Sequence, residues 1–180
     1  MLFLQYSEHI KSYCYLGFGK KGVFTTASLH RELKSTGMTD REVMSIWKTT
    51  IPMKVWFFLW SIYSDCLPSA EQLIKRNWPG EELCKLCGRI EMAQHIFFEC
   101  FLATYCWWFF REALNWNQTP TSLTQFLLFS RDKSNSPKPL MIYILACICW
   151  SLWLIRNDYV FHNRVLLRPD NVVHRAMIFM

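Results

Sequence analysis

"CKLCGRIEMAQHIFFEC", residues 84–100, places three cysteines and a histidine within seventeen positions. The spacing is C-x2-C-x7-H-x4-C, running from Cys84 and Cys87 through His95 to Cys100. Two thiolates separated by two residues can face one ion while backbone amides turn toward the sulfurs. Gly88, directly after the second thiolate, suits the tight or left-handed turn that such a knuckle needs. Three thiolates and one imidazole make a closed tetrahedral set, which suits Zn2+ and leaves no open position for catalysis. The competing reading is a group of core residues in a chain rich in cysteine and apolar side chains. A lone C-x2-C is a weak signal; the histidine and third cysteine at ligand spacing favour zinc. Cys14, Cys66, Cys106, Cys147 and Cys149 have no partner at such spacing and read as core.

The rest of the chain supplies material for a packed domain. Its 180 residues are 52% hydrophobic and 19% charged, with nine Trp and fourteen Phe, so a packed core is expected in preference to disorder. This length predicts one domain, or one with an appended subdomain. A net charge of +6 permits contact with nucleic acid or an anionic membrane without requiring either. The opening residues lack a basic leader, a long apolar core and a small-residue cleavage site. A cytoplasmic or nuclear protein with reduced cysteines is therefore expected, which again favours metal over disulfides.

Working outward from the cluster, apolar segments of helical length dominate. Residues 13–26 alternate loosely around Gly19-Lys20-Lys21-Gly22 and predict a β-hairpin, with helices following at 27–35 and after Asp40. Pro52 marks a boundary, and 53–64 is apolar on nearly every side, as a buried helix should be. Trp56, Trp60 and Tyr63 fall at helical spacing there and read as a packing stripe, not a base-stacking platform. Ser69 with Gln72 forms a capping box for the next helix. An aromatic helix follows Cys100, and a shorter helical piece follows the break at 117–122. The stretch 130–139 reads as a linker, and a last strong helix runs from 140 to about 163. Its apolar run, 140–155, is sixteen residues long, short of the roughly 20 that a membrane span needs, so a core helix is expected. The fold class expected is mainly α with a small N-terminal β-hairpin, the zinc loop lying between aromatic helices.

The charge around the knuckle bears on its use. Between positions 81 and 100, Glu81, Glu82, Glu91 and Glu99 stand against Lys85 and Arg89. Retroviral-type zinc knuckles share the C-x2-C and H-x4-C halves but have a shorter middle loop and more basic residues. A knuckle that grips phosphate should be positive, so this one reads as structural. Lys75, Arg76, Lys85 and Arg89 flank the loop and are the candidate nucleic-acid contacts. Lys20 with Lys21 is a second basic pair, and solvated surface is the plainer reading of all of them.

Several motifs in order carry a resemblance. "IWKTTIPMKVWFFLW" (46–60), "CLPSAEQLIKRNW" (66–78), the ligand set and the Cys106-Trp107-Trp108 helix come in succession. Gly22, Phe24 and Thr25 precede them, and Trp153, Arg156, Asn157 and Phe161 close the series. Together they resemble the zinc-binding domain beside reverse transcriptases of plant non-LTR (long interspersed) retrotransposons, over residues 13–163. Ser69 stands where that family often has Thr, and Met53 where Pro is frequent. The resemblance implies that Cys84, Cys87, His95 and Cys100 hold zinc, and that the partners are RNA or DNA and a reverse transcriptase domain in a parent polyprotein. Residues 1–12 are then an N-terminal extension. Residues 164–180 read as a C-terminal tail without a clear ending signal, as in a fragment of a longer chain.

Catalytic motifs are not found in the sequence. No Tyr-x-Asp-Asp palm motif appears, nor a carboxylate set able to hold two metal ions for polymerase or ribonuclease H chemistry. "GFGKKG" lacks the glycine spacing and Lys-Ser/Thr ending of a phosphate loop. A non-catalytic zinc module that assists nucleic-acid binding is the expected function. The alternatives are a zinc-stabilised structural or protein-interaction remnant and, more weakly, a membrane-associated protein.

Overall fold

The computed structural model describes residues 51–130, 138–162, 164 and 168–180. The expected hairpin at 13–26 and the helices at 27–35 and after Asp40 lie outside the described residues. Within them the fold is helical. The elements are α1 (Met53–Tyr63), α2 (Ala70–Ile74), a π turn (His95–Glu99), α3 (Phe101–Leu114), α4 (Leu123–Phe129), α5 (Lys138–His162) and α6 (Asp170–Phe179). Strand-type pairing among the described residues is limited to one antiparallel bridge, Leu83 to Ile90.

Local sequence explains most boundaries. Pro52, extended at ψ 139°, precedes α1, where its missing N–H costs nothing, and its carbonyl takes the amides of Val55 and Trp56. Ser69 caps α2, its hydroxyl accepting from the Gln72 amide at 3.4 Å. The box is only half closed, because the Gln72 side chain donates to Asp65 at 3.1 Å instead of returning to Ser69. Ser122 caps α4 in the same way through the Gln125 amide. Asn115 ends α3 in the left-handed region at φ 52°, where asparagine is the tolerated alternative to glycine.

The long helix α5 is the spine. At 25 residues it extends about 37 Å, and α1, the π turn, α3 and α6 all pack on it. Met141, Ile142, Leu145, Ile148, Cys149 and Leu152 are buried along it. Phe58 of α1 meets Trp150 edge-on at 5.1 Å and Phe97 of the π turn at 5.7 Å. Trp56 is buried, while Trp60 and Tyr63 are partly buried against the same core, in line with a packing stripe. Among the described residues, one helix is long and apolar enough to cross a membrane, Pro139–His162, and 67% of its most apolar 18-residue stretch is buried inside the fold. It also carries a buried arginine, Arg156, paired with a different element, which suits a protein core better than lipid.

The C-terminal segment is more than an extended tail. In α6, Val172, Val173 and Ala176 are buried against α5 and α3. Tyr143 of α5 donates its hydroxyl to the carbonyls of Phe179 and Met180, and Arg175 pairs with Asp158 at 3.0 Å.

Candidate metal centre

The loop between α2 and α3 brings the four candidate ligands together. The sulfurs of Cys84, Cys87 and Cys100 and a ring nitrogen of His95 all lie within 4.8 Å of one another. A thiolate tetrahedron around zinc at about 2.3 Å has edges of about 3.8 Å, so a small contraction closes the set on an ion.

Each half of the set has its own device. In the first, the Cys84 amide donates to the Arg89 carbonyl at 2.7 Å and the Gly88 amide to the Cys84 carbonyl at 2.8 Å. Gly88 sits at φ +74°, and a Cβ there would meet nothing within 4 Å, so the turn, not space, asks for glycine. The amides of Leu86 and Cys87 point at the Cys84 sulfur and favour its thiolate.

The second half depends on the π turn. Five residues of α-helix rotate through about 500°, which would swing His95 and Cys100 about 140° apart. The chain instead closes an i to i+5 bond, from the Cys100 amide to the His95 carbonyl at 2.8 Å. That wider turn returns both side chains to one side. His95 Nε2 then lies 3.1 Å from the Cys87 sulfur, which makes it the nitrogen facing the thiolates. Cys100 is the cap residue of α3, and the Leu102 amide at that helix start points at its sulfur.

The Cys100 thiol donates to Cys84 and lowers the Cys84 pKa to about 5, while that bond and burial push Cys100 upward. The donor set therefore fits a divalent ion that supplies the missing positive charge. Cys84, His95 and Cys100 are buried and Cys87 is exposed. Four protein ligands fill a tetrahedron, so the centre can hold structure but offers no position to a substrate.

The other described thiols behave differently. Cys106, Cys147 and Cys149 are free and buried; burial alone raises Cys106 to about 12, and burial raises Cys147 to about 11 against a hydrogen bond with Tyr143 that lowers it. Cys66 departs from the expectation of reduced cysteines: it is disulfide-bonded. Alkylation at pH 8 should therefore leave Cys106, Cys147 and Cys149 unmodified in the folded protein, whereas chelation should open Cys84 and Cys87 to the reagent. Mass mapping of the labelled peptides checks this, and labelling of Cys149 in the folded chain would contradict it.

The four basic candidates are all exposed. Lys75 is paired with Glu71 one turn earlier on α2. Glu91 is not the surface charge that the sequence suggested. It is buried against Arg156, leaving Glu81, Glu82 and Glu99 as the exposed acids between 81 and 100, so the loop surface is less acidic than the composition implies. The long-range pair gave no local signal in the sequence.

Comparison with known proteins agrees with this geometry. Neither curated proteins nor solved structures yield a match to the chain. Residues 24–107 match the family described as zinc-binding in reverse transcriptase, a stretch that includes all four donors and Trp107 and supports that zinc-binding domain family for this part of the chain.

Proposed function

We propose that this chain is a non-catalytic zinc-binding module of a plant non-LTR retroelement reverse transcriptase, assisting the placement of RNA or DNA. The observation that carries the reading is the closed Cys84, Cys87, His95, Cys100 set within a segment matching a reverse-transcriptase zinc-binding family. Zinc would be held by those four residues and would supply cross-linking, not Lewis-acid chemistry. The module acts as a rigid block beside a polymerase domain of a parent polyprotein, in the cytoplasm or nucleus. No polymerase, nuclease or protease turnover is expected from it.

Nucleic acid would be met by Lys75, Arg76, Lys85 and Arg89, in contacts that are mostly independent of sequence. Charge reversal at all four should weaken single-stranded RNA binding at low salt while zinc content and helicity stay unchanged. For every phosphate that is no longer neutralised, the log-log salt dependence should flatten by about 0.7. A titration of the parent protein and the fourfold variant across salt concentrations measures it. The Lys75–Glu71 pair and the exposed Glu81, Glu82 and Glu99 favour a second reading, a structural or protein-interaction remnant. Absence of binding by the parent protein at low salt would select that reading.

A further inference from the structure

Glu91 and Arg156 are sixty-five positions apart and both almost fully buried. Glu91 Oε1 accepts from Arg156 Nε at 3.1 Å, from Arg156 Nη2, and from the first amide of α2, Ala70, at 3.1 Å. Its backbone is held as well: the Glu91 amide donates to the Glu82 carbonyl at 2.9 Å, and its carbonyl takes the Glu71 amide at 3.2 Å. On the other side, the guanidinium lies 5.2 Å from the Trp153 ring and 5.6 Å from the Phe161 ring. Arg156 Nη1 also donates to Asn157 at 3.0 Å. Trp153, Arg156, Asn157 and Phe161 thus form one holder for a single charge.

A buried ion pair is a poor choice for stability alone, since apolar residues of similar volume often do as well; its best-attested use is registry. Its position supplies something to register. Glu91 lies after Cys84 and Cys87 and before His95 and Cys100. The next residue, Met92, gives its carbonyl to the Ile96 amide at 3.0 Å and so opens the turn that carries His95. Glu91 is therefore the point where the knuckle ends and the histidine-bearing turn begins.

We infer that the Glu91–Arg156 pair sets the separation of the two halves of the ligand set, making Arg156 of the long helix a positioning residue for the metal. This rests on the zinc reading above. A clamp that only joined α5 to the loop would affect global stability alone, whereas a register device affects the geometry of the ion.

The test uses the full chain, with cobalt(II) as a spectroscopic probe and a chelator competing for zinc. Glu91→Gln and Arg156→Met should each weaken metal retention on the order of tenfold, at the lower end of the loss seen when ligand-orienting partners are removed. They should also shift or broaden the tetrahedral cobalt–thiolate absorption band. Leu127→Ala, a core truncation on α4, should lower the melting temperature and leave both metal readouts unchanged. Glu91→Leu with Arg156→Met removes both charges, and it should recover the melting temperature without recovering metal affinity. Wild-type affinity and band in both single variants, or in the double variant, would overturn the proposal. Equal weakening by Leu127→Ala would overturn it too, by reducing the pair to a global stabiliser. A wild-type chain that takes up neither cobalt nor zinc would overturn the metal reading itself.

Discussion

Chelating the metal should unfold the knuckle at residues 80–90, and serine at Cys84 together with Cys100 should do the same at any zinc concentration. Before Glu91 the loop is mostly exposed and has little else to hold it, whereas Ala93 and the π turn are packed in the core. Its described backbone pairing is one bridge and a few turn bonds, and Leu83 and Ile90 in that bridge are each about half exposed. Structural zinc in finger peptides contributes about 10–16 kcal/mol at neutral pH. That matches or exceeds the roughly 5–15 kcal/mol by which whole domains are stable. Without the ion, the buried Cys84 and Cys100 sulfurs lose the cation that would bind them together. The aromatic core between α1 and α5 does not depend on zinc and should keep much of its helicity. Hydrogen exchange should therefore show protection lost first across 82–90 and retained along 141–155. Metal analysis of the purified protein should find one zinc per chain. Unchanged exchange in the loop after chelation, or unchanged stability of the double variant, would refute the assignment.

The candidate metal donors were legible in the sequence because metal chemistry needs particular residue types at particular spacings. Cys84, Cys87, His95 and Cys100 announce themselves within seventeen positions. Pro52 and Ser69 were legible for a similar reason, since a missing donor or a capping hydroxyl acts on its immediate neighbours. The long helix could be read from its apolar run, and the structure carries it from 138 to 162. The π turn could not be read. H-x4-C is compatible with several backbones, and only the need to bring both side chains to one ion selects the wider turn. Glu91 shows the converse failure. A glutamate among acidic neighbours looks like surface, and its partner Arg156 belongs to another helix, so no local pattern links them. The motif Trp153, Arg156, Asn157, Phe161 could be recognised as a pattern, but its physical purpose required the fold. The end of the chain was opaque for the same reason: Val172, Val173 and Ala176 gain their role from α5 and α3.

Truncating Trp107 should have the largest effect of any single core substitution. Trp107 is fully buried, stacks on Phe98 with ring centroids 5.7 Å apart and lies 5.5 Å from Phe126. Removal of such a side chain costs about 3–5 kcal/mol. The indole has a second role that area alone does not capture. Its Nε1 donates to the Phe97 carbonyl at 2.7 Å. Phe97 belongs to the π turn, and the chain leaves that turn at Cys100 in an extended conformation, φ −61° and ψ 144°. The indole thus supplies a donor to a turn whose carbonyls lie close to a helix break, and it steadies the segment that presents His95 and Cys100. Trp107→Ala should lose both packing and bond, and at a typical domain stability it leaves the protein marginal. Trp107→Phe separates the two contributions, because the ring remains and the donor goes. That variant leaves a buried acceptor unmatched, at about 1–3 kcal/mol, in addition to the smaller ring's packing loss. Denaturant melts followed by circular dichroism on zinc-loaded protein measure both. A Trp107→Phe variant that melts with the wild type would show that the indole bond does not hold the turn.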